Sequence, residues 1–341
     1  MRSLFPTCLA LLTVTGCSMD ATPRNGWRLD AESDRDSRAT DVGFEDVPDL
    51  GPGEDGWSSP PVRNPLAVGS FHNCIILNDY SVDCFGKPNY GTLEVPDAKF
   101  NGISLGYEHS CGVTLGGEIE CWGRDHYGQA SPPKGKTFED VALGRYHTCG
   151  LTSDGKVSCW GLGTSAAKET EGFDYNQAIA PDGRFEDIAA GLYHTCADKM
   201  SGDGLTCWGR TRFGSDDIPD ADFEEISSGH GFTCGLRSEG TVYCWGKGPV
   251  WGTSEWAELP SPTGVYRDLD ASSTSACAIR QDGRLQCWQI DEGKLSEEVP
   301  EGTFEAVAVG SVHACALEKG GDLQCWGQNY LGSTEVPARY R

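Results

Sequence analysis

Cys149 and Cys159 stand ten residues apart around Asp154-Gly155, and Trp160-Gly161 follows the second. Two thiols across a turn could act as a redox dithiol, as half of a metal site or as a structural crosslink. Repetition separates these chemistries. The same phrase begins at Cys74, Cys111, Cys196, Cys234, Cys277 and Cys315, so it occurs seven times, with first cysteines 37, 38, 47, 38, 43 and 38 residues apart. Cysteine zinc sites use close C-x2-4-C pairs, and the chain has none. A catalytic dithiol is expected once, as C-x-x-C, and not seven times at wide spacing. The thiols are therefore crosslinks, one per repeat, which persist only outside a reducing cytosol.

The elements that hold each pair follow from the turn. If Ser153-Asp154-Gly155 is a three-residue hairpin loop, Thr152 faces Lys156, Leu151 faces Val157 and Cys149 faces Cys159. Gly155 stands where such a loop needs a left-handed residue. Opposed Cα atoms on antiparallel strands lie ~4.5–5.5 Å apart, within disulfide reach. The expected bonds are Cys74–Cys84, Cys111–Cys121, Cys149–Cys159, Cys196–Cys207, Cys234–Cys244, Cys277–Cys287 and Cys315–Cys325. The fourth has one extra residue and a longer loop around Gly202-Asp203-Gly204. Lead-ins such as "FEDVALGRYHTC" and "FEDIAAGLYHTC" add a short β-rich run before most copies. A unit of about forty residues suits a four-stranded blade, and seven units suit a closed ring. The expected fold is all-β, a seven-bladed β-propeller over residues 61–341. "EVPARYR" at the end matches "EVPDAKF" and "EVPEGTF", the runs that precede a blade's first strand, so the terminal segment is expected beside blade one.

The pattern G-x-x-H-[ST]-C-x-L … G-x-[VL]-x-C-W-G, followed in places by "NYG" or "HYGQ", resembles the repeats of the regulator of chromosome condensation (RCC1) family across residues 61–341. The cysteine pair looks like a bacterial extracytoplasmic version of that repeat. The resemblance implies the propeller but no single activity, because family members include a nucleotide-exchange factor for a nuclear GTPase and a secreted β-lactamase inhibitor.

Residues 1–17, "MRSLFPTCLALLTVTGC", carry Arg2 and then an apolar run too short to span a bilayer. Val14-Thr15-Gly16-Cys17 resembles the lipobox of bacterial lipoprotein signal peptides, which implies lipidation of Cys17. Loss of Cys8 with the signal would leave no unpaired thiol. Ser18 then implies the outer membrane of the cell envelope, and an ordinary secretory signal is the alternative. Residues 18–60 hold eleven acidic and four basic residues with no periodicity, and read as a flexible acidic linker.

Within the repeats, His72, His109, His147, His194 and His313 sit two residues before a cysteine. Equivalent positions in a ring are far apart, so packing or hydrogen bonding is expected and metal ligation is not. Trp122, Trp160, Trp208, Trp245, Trp288 and Trp326, with Phe85 in the first copy, read as core or inter-blade residues. The acidic run 215–225 lacks calcium-loop spacing and reads as solvated surface. The net charge is −24, near −18 for the repeats, which argues against nucleic acid and against adsorption to anionic lipid. Membrane contact is then expected only through the lipid. No nucleophile motif, zinc helix or phosphate loop appears, so no enzyme and no cofactor is expected. A propeller glycosidase or lyase would need a central cluster of Asp, Glu, His or Arg, and none is evident. Nucleotide exchange is a further alternative, at odds with export.

Two insertions break the period, at 162–183 and 247–264. The second holds Trp251 and Trp256, which stand off the alternating strand pattern, and the first holds Phe173 and Tyr175. These four are the candidate anchors for a protein or carbohydrate partner, unless the rings only cover the underside of their own loops. The expected function is that of a monomeric, non-catalytic binding or scaffold module.

Overall fold

The computed structural model describes residues 62–164, 172–200, 204–250, 252–290 and 294–341. The signal, Cys17, the acidic linker and Trp251 lie outside the described residues.

Seven small antiparallel sheets follow one another along the chain, each built from consecutive strands. Their first strands are Leu66–Val68, Phe100–Leu105, Phe138–Leu143, Phe185–Ala190, Glu225–Ser228, Tyr266–Ser272 and Phe304–Val309. These line the axis of the ring. The second and third strands form the cysteine hairpin of each blade. In the third blade Leu151 pairs with Val157 and Cys149 with Cys159. The Thr152 N–H donates to the Lys156 carbonyl at 2.8 Å, and Gly155 has φ +81°, as the three-residue loop requires. All seven expected disulfides are formed, with Cα atoms 4.0 to 4.1 Å apart. That close spacing belongs to opposed residues that do not exchange backbone hydrogen bonds.

Blade size differs from expectation. Among the described residues six sheets have three strands, and only the fifth blade has a fourth, Trp256–Glu258, paired to the long strand Val242–Pro249. Elsewhere the segment after the third strand is held by the next blade's tryptophan instead of a ladder. Indole N–H groups of Trp122, Trp160, Trp208, Trp245 and Trp326 donate to the carbonyls of Thr92, Gln129, Gln177, Ser215 and Leu295, at 2.9 to 3.1 Å. The Trp288 indole, which follows the four-stranded blade, has no such acceptor among the described residues. There the fourth strand has replaced the usual loop.

The repeat histidines join blades in the same way. Nε2 of His72, His109, His147 and His194 contacts the hydroxyl of Ser110, Thr148, Thr195 and Thr233 in the next blade. At the seam His313 Nε2 lies 2.7 Å from Asn73 Oδ1, and the Asn73 amide donates to the Ser333 carbonyl at 2.8 Å. Phe85 lacks a donor, so Asn73 supplies the one that tryptophan provides elsewhere. The terminal segment packs on blade one through Val336 and Tyr340, and Arg339 donates to Asp83 at 2.9 Å. The ring closes by side-chain contact, as the phase of the repeats implied.

Candidate functional site

Each inner strand passes through three environments. It begins in a central cavity of about 250 Å³, reaches a collar of close-packed glycines, with Ser272 in blade six, and leads to a two-residue turn that precedes a histidine in five blades. The collar is tight. A Cβ on Gly106, Gly144, Gly191 or Gly310 would stand 2.2 to 2.7 Å from the carbonyl oxygen of the neighbouring blade's glycine.

The cavity is lined by Asp140, Asp187, Glu225, Asp268 and Asp270, with no lysine, arginine or histidine among its lining residues. No motif in the sequence marks this cluster, and Glu225, expected on solvated surface, lines the cavity instead. The correction has a local cause. In a regular strand Phe138 and Asp140 would share a face, but the register shifts between them, as it does at Phe185/Asp187 and Tyr266/Asp268. Such a bulge re-aims the second side chain, which leaves the phenyl ring between blades and the carboxylate on the axis.

Burial raises Asp140 and Asp270 to about 6, and Asp187 and Asp268 to about 7. Glu225 is also pushed up, by burial first and then by Asp268. Backbone donors of the next blade oppose this. Asp187 Oδ2 accepts from Ile226 N–H at 3.1 Å, Asp268 Oδ2 from Val307 N–H at 3.2 Å, and Asp270 Oδ2 from Val309 N–H at 2.6 Å. These carboxylates tie neighbouring inner strands together.

Beyond the collar the chemistry inverts. Tyr193, 2% exposed, is the hub of an aromatic and arginine cluster. Phe173 stacks on it at 5.7 Å with an interplanar angle of 10°, and Tyr175 meets it edge-on at 5.7 Å. Tyr146 and His230 flank it at 6.5 and 5.6 Å. Trp256 stacks on Phe213 at 3.4 Å and meets His230 edge-on at 5.3 Å. Arg145 lies 4.4 Å from the Tyr107 ring and 5.8 Å from Tyr193, and its Nη1 donates to the Tyr193 hydroxyl at 2.6 Å. Arg210 lies 4.7 Å from Phe213, 5.1 Å from Tyr175, 5.4 Å from Trp256 and 5.6 Å from Tyr193. Burial, helped by Arg210 and Arg145, lowers His230 to about 4, so its ring is neutral near pH 7.

Three of the four candidate anchors, Phe173, Tyr175 and Trp256, therefore meet in one half-buried cluster. Trp256 lies on the fourth strand of its blade, contrary to its reading as off the strand pattern, and a neighbouring blade's loop covers one of its faces. The residues missed were Tyr107, Arg145, Tyr193, Arg210, Phe213 and His230. A partial signal existed in the two positions of G-x-x-H. They read Tyr-Glu, Arg-Tyr, Leu-Tyr and His-Gly in blades two to five, against Ser-Thr and Ser-Val in blades six and seven.

Comparison with known proteins agrees with this architecture. The Regulator of chromosome condensation (RCC1) repeat matches residues 101–129, 138–165, 223–249 and 304–333. No curated protein matches the sequence. Among solved structures, the CRINKLY WD40 ectodomain of the Arabidopsis thaliana receptor kinase ACR4 is similar at 24% identity and TM-score 0.65, over 79% of this chain and 95% of that one. The ectodomain of the Physcomitrella patens receptor kinase CR4 is similar at 20% identity and TM-score 0.64, over 77% of this chain and 73% of that one. Human WBSCR16 is similar at 17% identity and TM-score 0.56, over 74% and 86%. The chain is an RCC1-like repeat β-propeller of seven blades, with one disulfide in each.

Proposed function

We propose that this protein is a non-catalytic extracytoplasmic binding module that takes a protein or carbohydrate partner on the face beyond the glycine collar. One observation carries the reading. The two insertions that break the repeat, in blades three and five, meet over blade four, where Phe173 stacks on Tyr193 and Trp256 packs against Phe213 and His230. A ring of near-equivalent blades offers a symmetric surface, so selectivity comes from what breaks the symmetry. The seven disulfides support an oxidising compartment. In this reading Cys17 carries a lipid that tethers a monomer at the cell envelope, at the outer membrane.

A photoreactive residue in place of Tyr175, irradiated on intact cells, is expected to capture a partner. The same residue in place of Glu186 is expected to capture none. Phe173→Ala with Trp256→Ala should weaken the captured contact by about 2–4 kcal/mol. Unchanged affinity, or capture from Glu186 alone, would remove this face as the site. Cys17→Ala should release the chain from membranes, and unchanged retention would remove the anchor.

The raised carboxylates favour a second reading, glycoside hydrolysis or elimination in the central cavity. The cavity volume of about 250 Å³ falls short of the ~300–1,000 Å³ usual for ligand pockets. Loss of a glycosidase or lyase activity in Asp187→Asn would establish it over the binding reading.

A further inference from the structure

Of the exposed features, the arginines of the aromatic face stand apart in an acidic chain of 51 Asp and Glu against 27 Lys and Arg. Arg124 meets Glu108 and Arg339 meets Asp83, whereas Arg267 and Arg280 donate to the Phe304 carbonyl and to Gln286. Arg145 and Arg210 have no carboxylate partner among the described residues. Both lie within 5.8 Å of the Tyr193 centroid, so their guanidinium carbons are within about 11 Å of each other. Stacking on rings uses the flat face of a guanidinium and leaves its N–H edge for a planar acceptor. Arg145 Nε and Arg210 Nε are buried and, like Arg237 Nε, have no hydrogen-bond partner among the described residues, so the terminal Nη groups are the ones that can meet a ligand. Native buried polar groups are nearly always bonded. Neutral His230 adds no competing charge, and Glu108, next to Tyr107 in the second blade's turn, is engaged by Arg124.

We infer that Arg145 and Arg210 receive two carboxylates from an extended acidic segment of a partner protein. This rests on the binding reading above and specifies its partner. A polypeptide fits better than a glycan for a reason of geometry. A sugar stacks on a ring face, and Phe173, stacked on Tyr193, and Trp256, stacked on Phe213, each have only one face left for it. What the cluster presents is guanidinium edge among Trp and Tyr, the residue set that dominates protein hot spots. Carboxylates two residues apart on an extended chain point to the same side ~7 Å apart, within the limit of about 11 Å on the separation of the two arginines. Each arginine can hold one carboxylate bidentately.

The test is selection from a displayed library of random twelve-residue peptides against the oxidised full chain. Selected peptides are expected to be enriched in Asp and Glu and to weaken with added salt. Arg145→Gln with Arg210→Gln should reduce their binding at least ~30-fold. Arg145→Lys with Arg210→Lys keeps the charge but loses the fork, should bind at an intermediate level, and decides the matter if the Gln variant fails to fold. Neutral or basic winners, no winners, or binding indifferent to either variant would overturn the inference. Polygalacturonate retained in an arginine-dependent way, with no peptide selected, would assign the site to an acidic glycan and overturn it equally. If neutral peptides bind and Phe173→Ala with Trp256→Ala abolishes them, the face stands as a binding site and only the acidic partner falls.

Discussion

The two ends of the inner strands make opposite use of similar positions. At the cavity end, Asp140, Asp187 and Asp268 occupy one repeat position, and the backbone N–H groups of the next blade engage two of them. At the far end the two positions of G-x-x-H carry Tyr107, Arg145, Tyr146, Tyr193 and His230 in blades two to five, but small polar residues and a valine in blades six and seven. The acids stand in blades three to six, with Pro65, Gly102 and Ala306 at that position in the other blades, and backbone donors commit them to holding neighbouring inner strands together. A charge without an internal partner is free to meet something else. The glycine collar separates the two environments, so acidic and cationic chemistry coexist along a strand of about six residues, ~20 Å.

The largest perturbation should erase the comparison altogether. Reducing all seven disulfides removes about 2–3 kcal/mol of chain-entropy stabilisation at each hairpin. Unfolding followed by intrinsic fluorescence should then occur tens of degrees lower, with both ends of the strands lost together. A reduced ring that keeps its thermal midpoint would mean that packing alone holds the blades. Cys149→Ala with Cys159→Ala isolates one staple, and about 2–3 kcal/mol should be lost in denaturant titration.

Breaking the collar should cost less. In Gly191→Ala the new methyl would stand 2.3 Å from the Gly229 carbonyl oxygen and 2.4 Å from His194 Cε1. Overpacking of this kind destabilises by roughly 1–3 kcal/mol. Gly128→Ala, with nothing within 4 Å of the added carbon, gives the comparison without a clash, although its φ of +77° carries its own strain. Equal losses in the two variants would show that the collar is not under steric constraint.

The smallest effect concerns the cavity and is read against pH. Asp187 titrates near 7 in the folded chain because it is buried, above its ordinary value of 3.8. The folded state therefore holds the proton more tightly than the unfolded one. Stability falls as pH rises from about 4 to about 7, and the full deficit persists above that. Asp187→Asn should accordingly raise stability at pH 8 by about 1–3 kcal/mol and change little at pH 4. His72, His109 and His147 run the other way. Burial holds them near 3, so their neutral contacts are lost as pH falls from 6.5 towards 3. The two gradients overlap between about 4 and 6.5, and the carboxylate contribution is read cleanly above that window. A larger gain for Asp187→Asn at pH 4 than at pH 8 would reverse the assignment.

The repeat, the seven cysteine pairings, the turn at Gly155 and the joining roles of His109 and Trp160 were legible in the sequence. All depend on short-range rules, the alternation of a strand and the opposition of residues across a tight turn, that act the same way in every copy. The three-stranded blades were not legible, because whether a segment adds a ladder depends on what the neighbouring blade offers it. Trp160 offers an indole N–H to Gln129, whereas Trp288 stands beside a strand. The acidic cavity required the bulge after Phe138, which alternation alone does not reveal. Only closure of the ring brought Phe173 against Tyr193 and Trp256 against Phe213. Those contacts link residues 20 to 43 positions apart in different blades, and their meeting is set by how blades pack around an axis, which no local pattern encodes.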